Sequence, residues 1–271
     1  MLSVNTNTGS MIALQYLNKT NAQLANTENQ INTGLKVASA KDDGATYAIA
    51  QNMRADVAGY SAVTDSLNRG MSVVDVAMSA GQSISDLLIE MKQKAVAAAD
   101  QSLSTTDRAA TNEEFTALRD QITTIVQNAV FNGFDLVDGS ATGGISALAS
   151  SDGSRHITVA SENMSLSGLG ISGAISTLAT ASSMIATIQT AITSVNSSLA
   201  RLSAGSKKFS IQSDFVSKLS DTLTSGIGNL VDADMAKESA LLTALQTKQQ
   251  LGVQALSIAN SAPEIALSLF H

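Results

Sequence analysis

Cysteine is absent from this 271-residue chain, which excludes disulfides, thiolate metal sites and cysteine nucleophiles. Tryptophan is missing as well, aromatic residues make up 3% of the chain, and Pro263 is its single proline. A compact globular fold normally uses more aromatics and more turns. A body without proline instead favours uninterrupted helices, because proline inside one costs roughly 3 kcal/mol. Charge is sparse too, at 14% of residues, and the balance is acidic, with a net charge of -7. A nucleic-acid binder needs a basic face to replace counterions, so nucleic acid is not expected as a partner. No stretch of 18 or more residues is free of polar groups, which predicts no membrane insertion. Met1 to Ser10 shows no basic region followed by an apolar core, so no cleavable secretory signal is expected and any exit from the cell takes another route.

The residues that chemistry requires are equally scarce. His156 and His271 are the two histidines, and neither has neighbours at a spacing that suggests a metal site or a triad. Asp42 with Asp43 and Glu113 with Glu114 read as helix-start charges, favourable against the macrodipole, rather than as catalytic pairs. Gly143 and Gly144 belong to no phosphate-cradling motif, and Lys207 with Lys208 reads as a solvated helix face. No catalytic, cofactor-binding or metal-ligating residue is expected, and the chain does not read as an enzyme.

What the chain does have is periodicity. Counting 3 and 4 residues alternately from Leu178 to Leu230 lands on apolar residues everywhere except Ser206, Ser213 and Ser220. A stripe repeating every seven residues is the pattern of a long helix laid against other long helices. As one helix it would run to about 80 Å, and it cannot bury its stripe alone. A second seam of matching length begins at Ile49 and Met53, is interrupted at Asp56, and continues from Tyr60 through Val63, Leu67, Gly70, Val74, Ala77, Gly81, Ile84, Leu88, Met91 and Ala95 to Ala98. Gly70 and Gly81 cost about 1 kcal/mol each against alanine; small residues on a contact face admit a neighbouring helix closely. A third, shorter seam (Phe115, Leu118, Ile122, Ile125, Ala129) follows a capping box at Ser104 to Asp107.

The two ends of the chain mirror each other in their weaker seams and few charges. Leu14, Leu17, Leu24, Ile31, Leu35 and Ala38 fit one helical seam, broken by Asn21 and Glu28; Leu242, Leu245, Leu256 and Ala259 mark the other, with Leu241, Leu251, Val253 and Ile258 beside it. Between the third seam and Leu178, Asn132-Gly133 and Asp138-Gly139 mark turns, and Ile145 to Ala160 reads as a hairpin turning at Asp152-Gly153. The fold expected is mainly α: an elongated antiparallel helical bundle with long coiled-coil-like helices, a small β-hairpin region, and paired N- and C-terminal helices. Residues 1–44 with 229–271 form a terminal helical domain. Residues 45–228 form the long-helix bundle, with the hairpin segment at about 140–177.

Several ordered motifs then carry a family resemblance. Val4 to Thr6, Leu17-Asn18-Lys19-Thr20, Ile31 to Leu35 and Ser39-Ala40-Lys41-Asp42-Asp43 resemble the N-terminal region of bacterial flagellins. Phe131-Asn132-Gly133 with Leu136 resembles their turn motif. Gln249-Gln250 through Ile258-Ala259-Asn260-Ser261-Ala262-Pro263, with Ile265, Leu267, Ser268 and Leu269, resembles their C-terminal signature. The likeness covers about residues 1–140 and 175–271. It implies a structural subunit of the flagellar filament, exported by the flagellar type III apparatus with a chaperone and assembled outside the cell into a helical tube for motility. Its partners would be further copies of itself, the filament cap and the hook-junction proteins. The terminal helices would order on assembly, with Leu14, Leu17, Leu24, Ile31, Leu35, Leu242, Leu245, Leu256, Ile258, Leu267 and Leu269 making inter-subunit contacts. Only about forty residues stand where relatives often carry variable domains, so no separate outer domains are expected, and the hairpin would be the outer decoration. The alternatives are a hook-filament junction protein of the same superfamily and a secreted coiled-coil translocator.

Overall fold

The computed structural model describes residues 6–268, with side chains as far as Ser261. Five helices carry the fold: α1 (Thr8–Thr33), α2 (Gly44–Ala98), α3 (Thr105–Asn128), α4 (Leu178–Val231) and α5 (Met235–Ser268). Two small hairpins lie between α3 and α4, β1 (Val130–Phe131) with β2 (Phe134–Asp135) and β3 (Ile145–Leu148) with β4 (His156–Val159). The chain forms two compact units, one from residues up to Ala55 together with those from Thr222 onward, the other Asp56–Asp221.

In the Asp56–Asp221 unit the long helices run antiparallel in a constant register. Lys92 Nζ donates to Gln189 Oε1 at 2.5 Å, Gly81 sits against Leu199, and Gly70 sits against Phe209. Each pair of indices sums to about 280, so a residue of α2 lies level with its complement on α4. The two glycines are there for closeness: a Cβ on Gly81 would come within 2.8 Å of Leu199 Cδ2. Along α2 the buried set follows the seam from Val63 to Ala98, adding Val73 and Ala80. Along α4 the buried set is Ala181, Met184, Ile188, Ala191, Val195, Ser198 and Leu202, then Gly205, Phe209 and Val216, while Ile185, Ile192 and Leu199 are only partly covered. The stripe is therefore three positions wide per heptad, as a helix that touches more than one neighbour requires. One 18-residue window of α4 reaches a mean hydropathy of 1.2, enough by length and composition to cross a membrane. Its apolar stripe, however, is packed into this core.

A third layer lies over the α2–α4 pair and is built in two materials. At the end where α2 finishes it is α3, tied by the Lys94–Glu114 ion pair and started by Ser104, whose hydroxyl accepts from Asp107 N. Where α3 stops, the hairpins continue the layer. Phe131 and Phe134 line a groove with Ser66, Gly70 and Val73; Leu148 N donates to Ser66 Oγ at 3.1 Å; Gln212 Nε2 donates to Ala149 O at 3.0 Å. Ile145, Ala147 and Val159 are buried. The β3–β4 hairpin is thus core rather than outer decoration, because a helix of α3's length leaves half of the α2–α4 groove uncovered. Its turn is at Asp152-Gly153, where the Ser150 and Ser154 hydroxyls and Ser154 N hold the Asp152 carboxyl down to about 2. Asn132 and Gly133 take positive φ values of 49° and 83°, as the two central residues of a tight hairpin turn require.

From the hairpin an irregular strap returns along the bundle to α4. Glu162 N and Met164 N donate to Leu136 O and Val137 O, each at 2.7 Å, and Met164, Leu169, Ile171 and Ile175 are buried. Burial of such a side chain is worth about 1.5–3 kcal/mol. Glu162 is buried as well and accepts from Arg201 Nε at 2.7 Å, Arg201 Nη2 at 2.5 Å and Ser198 Oγ at 2.9 Å.

In the other unit α1 and α5 lie antiparallel. Asn7 Nδ2 donates to Ala259 O at 2.6 Å, Gly252 packs on Leu17, and Gln249 Nε2 donates to Asn21 Oδ1 at 2.8 Å. α1 ends at Thr33 because Gly34 turns left-handed at φ 71°. Leu35 and Ala38, read from the sequence as a continuation of the helical seam, therefore lie beyond the helix. Leu35 instead bridges to Asp232 and packs on a small cluster of Val37, Ala50 and Val231. Asp43 accepts from Ala45 N and Thr46 N to cap α2, and Asp234 does the same for α5 through Ala236 N and Lys237 N.

Candidate assembly surface

The paired terminal helices divide the seam residues in two. Leu245 is only 2% exposed, and the register of the pair sets it level with Leu24. Leu17, Leu24, Ile31, Leu242 and Leu256 are half-buried, and these face the helix–helix contact or its margins. Leu14 and Ile258 go the other way, at 48% and 71% exposed. Leu35 is half-buried in its loop. Leu267 has its backbone in the last turn of α5, with its side chain outside the described residues, and Leu269 lies outside them altogether.

Beside Leu14 stand Met11, Ile12 and Tyr16, all exposed, which the heptad count passed over because they fall off its stripe. On α5 the exposed set is Leu241, Leu251, Val253 and Ile258, with Met235 at the start of the helix. Each terminal helix thus has apolar residues on two sides, one spent on its partner within the chain and one turned outward. Such a double-sided apolar helix signals a further contact. Charges are few on both helices, Lys19 and Glu28 on α1 and Lys237, Glu238, Lys248 and Glu264 on α5. The polar residues between the apolar ones are mostly Asn, Gln, Ser and Thr. The side chains that this face offers are therefore apolar and hydrogen-bonding rather than ionic.

Long helices packed through apolar stripes, with further apolar residues left exposed on the terminal pair, are the build of a structural helical-bundle protein. Two family models narrow this class. The bacterial flagellin N-terminal helical region matches residues 4–142, and the bacterial flagellin C-terminal helical region matches residues 185–270. Flagellin FljM of Caulobacter vibrioides is 52% identical over 271 residues, covering 99% of this chain and 98% of that one. A flagellin of Brucella melitensis is 37% identical across the full length of both. Among solved structures, the crystal structure of Bacillus cereus flagellin aligns with a TM-score of 0.50 at 25% identity, over 55% of this chain and 86% of that one. The chain belongs to the bacterial flagellins, the structural proteins of the flagellar filament.

Proposed function

We propose that this flagellin acts by folding coupled to assembly. The chain leaves the cell unfolded through the flagellar type III apparatus, escorted by a chaperone, and is added outside the cell beneath the filament cap. Its terminal segments, 1–44 and 229–271, order as they join neighbouring copies, while the long-helix bundle of 45–228 forms the next shell outward. Leu17, Leu24, Ile31, Leu242, Leu245 and Leu256 hold α1 to α5, and Leu14 and Ile258, with Met11, Ile12 and Leu251, bury against adjacent subunits. Leu35, Leu267 and Leu269 complete the same apolar set. The role is mechanical rather than enzymatic.

The observation that carries this is the second, outward apolar side of α1 and α5. Exposed leucine and isoleucine at this density disfavour a free monomer, and burying each adds about 1.5–3 kcal/mol to association. A helix pair too weak to stand alone limits premature polymerisation inside the cell. A filament role is preferred to a hook-filament junction because the chain matches flagellins of Caulobacter vibrioides and Brucella melitensis over nearly their whole length. It is preferred to a translocator because α4's apolar stripe is used within the bundle.

The test is polymerisation of purified chain, seeded with short filament fragments and followed by electron microscopy. Long tubes are expected from the native sequence, and Ile258→Asp should abolish them while the bundle keeps its helical circular dichroism. Unimpaired tubes from Ile258→Asp would contradict the proposed contact.

A further inference from the structure

Nine methionines and no cysteine make thioether sulfur the softest reductant this chain holds. Among the described residues the fold sorts these sulfurs by cover. Met91 and Met164 are fully buried and Met184 nearly so. Met53, Met71 and Met78 are half-buried, the last two packed on the bundle core as adaptable gap-fillers. Met11 and Met235 stand out, at 65% and 44% exposed. Met11 lines a surface groove with Ile12, Leu14 and Gln15 on the outward side of α1, a groove of which Met235 is no part. The most exposed thioether of the described residues therefore lies in the middle of an apolar surface offered to the next copy.

We infer that Met11 is an oxidation site, open to peroxides in the unassembled subunit and closed in the filament, whose sulfoxide bars the subunit from incorporation. This rests on the filament-subunit role proposed above and adds a chemical condition to it. The Met11 Sδ lone pair attacks one oxygen of hydrogen peroxide, the S–O bond forms as the O–O bond breaks, and sulfur gives up two electrons to the peroxide. The proton of the transferred oxygen passes to the departing hydroxide, which leaves as water. A flexible apolar thioether becomes a polar, chiral sulfoxide. Its oxygen is an acceptor with no donor to meet among apolar side chains, and burying such a group opposes the contact that the thioether favours. Once the next copy covers the groove, peroxide no longer reaches the sulfur. Damage therefore acts on subunits before addition and spares those already in place. Methionine sulfoxide reductases, one for each epimer, undo the change.

The test uses the full chain. Monomers receive a limited dose of hydrogen peroxide, catalase removes the excess, and their peptides are weighed by mass spectrometry. Met11 should gain an oxygen ahead of Met91, Met164 and Met184, and filaments given the same dose should keep Met11 unoxidised. Seeded elongation of the oxidised monomer should fall about tenfold and recover after treatment with both methionine sulfoxide reductases. Each variant is compared with itself before and after peroxide. Met11→Leu, which keeps the volume but has no sulfur to oxidise, should show no fall, whereas Met235→Leu should fall as the native chain does. The inference is overturned, with the filament role left standing, by an oxidised native monomer that elongates at its untreated rate or by a Met11→Leu chain that peroxide slows as much as the native one. A Met235→Leu chain that peroxide spares, or filaments in which Met11 oxidises as fast as in the monomer, overturn it equally. An untreated native chain that forms no filaments overturns the filament role and the inference with it.

Discussion

Glu162 is the buried carboxylate of the described residues, and it fastens the irregular strap to α4. The Arg201 guanidinium, followed by the Ser198 hydroxyl, holds its carboxyl below the ordinary value of 4.5 against the opposing effect of burial. A folded-state value lower than the unfolded one means that the stabilisation is fully present above about pH 4.5. It is lost as pH falls through the folded value, because protonation removes the acceptor that two guanidinium nitrogens and a hydroxyl share. Glu162→Gln keeps the shape but not the charge. Because the Arg201 side chain remains largely exposed, its cost at pH 7 is set at about 1 kcal/mol, below the about 1.5–3 kcal/mol of a hydrogen bond to a charged group, since solvent screens the pair. Thermal melts of the two proteins should differ by a few degrees at pH 7, and the gap should close as pH falls below 4.5 and through the folded value. A gap that stays constant as the carboxyl is protonated would show that the loss is one of packing rather than of charge. Nothing in the sequence announces Glu162: the strap has no periodicity, and a lone glutamate between Ser161 and Asn163 reads as loop. Only the tertiary position of Arg201 gives it a role.

Elements were far more legible than such single contacts. The seam counted from Leu178 to Leu230 gives a helix that runs Leu178–Val231, and Ser104 caps α3 as the capping box there predicted. What periodicity cannot convey is how many neighbours a stripe serves. Met184, Ala191 and Ser198 lie one residue off the counted seam and are buried because α4 meets the third layer as well as α2. The same gap hid the hairpin's place. Alternation and Asp152-Gly153 marked β3 and β4, yet only tertiary contacts, the close approach of Gly205 to Val159 among them, show that the hairpin fills the groove where α3 ends. A Cβ on Gly205 would stand 2.5 Å from Val159 Cγ1 and 2.7 Å from Cγ2. Gly205→Ala gains about 1 kcal/mol of helix propensity, but it pushes on a buried, branched side chain with little freedom to turn, at a cost of about 1–3 kcal/mol. The clash should win, so urea unfolding should show a lower midpoint for Gly205→Ala. A raised midpoint would mean that the hairpin shifts freely and is not part of the bundle's core.

At the scale of the whole molecule, the chain's two ends depend on one another, whereas the Asp56–Asp221 unit has its own core running from Val63 to Val216. The seams at the ends were readable as helices, but not which residues turn inward, since the same leucine spacing serves a partner in the chain and one in the next subunit. Deleting Leu242 to His271 removes the partner of Leu17, Leu24 and Ile31. α1 then has half-buried side chains with nothing to bury them, and isolated helices of this length with poor formers such as Asn are marginal in water. The truncated chain should therefore gain no helical signal from α1 when filament fragments are added, whereas the full chain does, while its main unfolding transition moves little. With both outward faces gone it should sediment as a monomer and remain so when seeded. Tubes assembled from the truncated chain would place the polymerising contacts in the bundle alone and make the terminal helices dispensable.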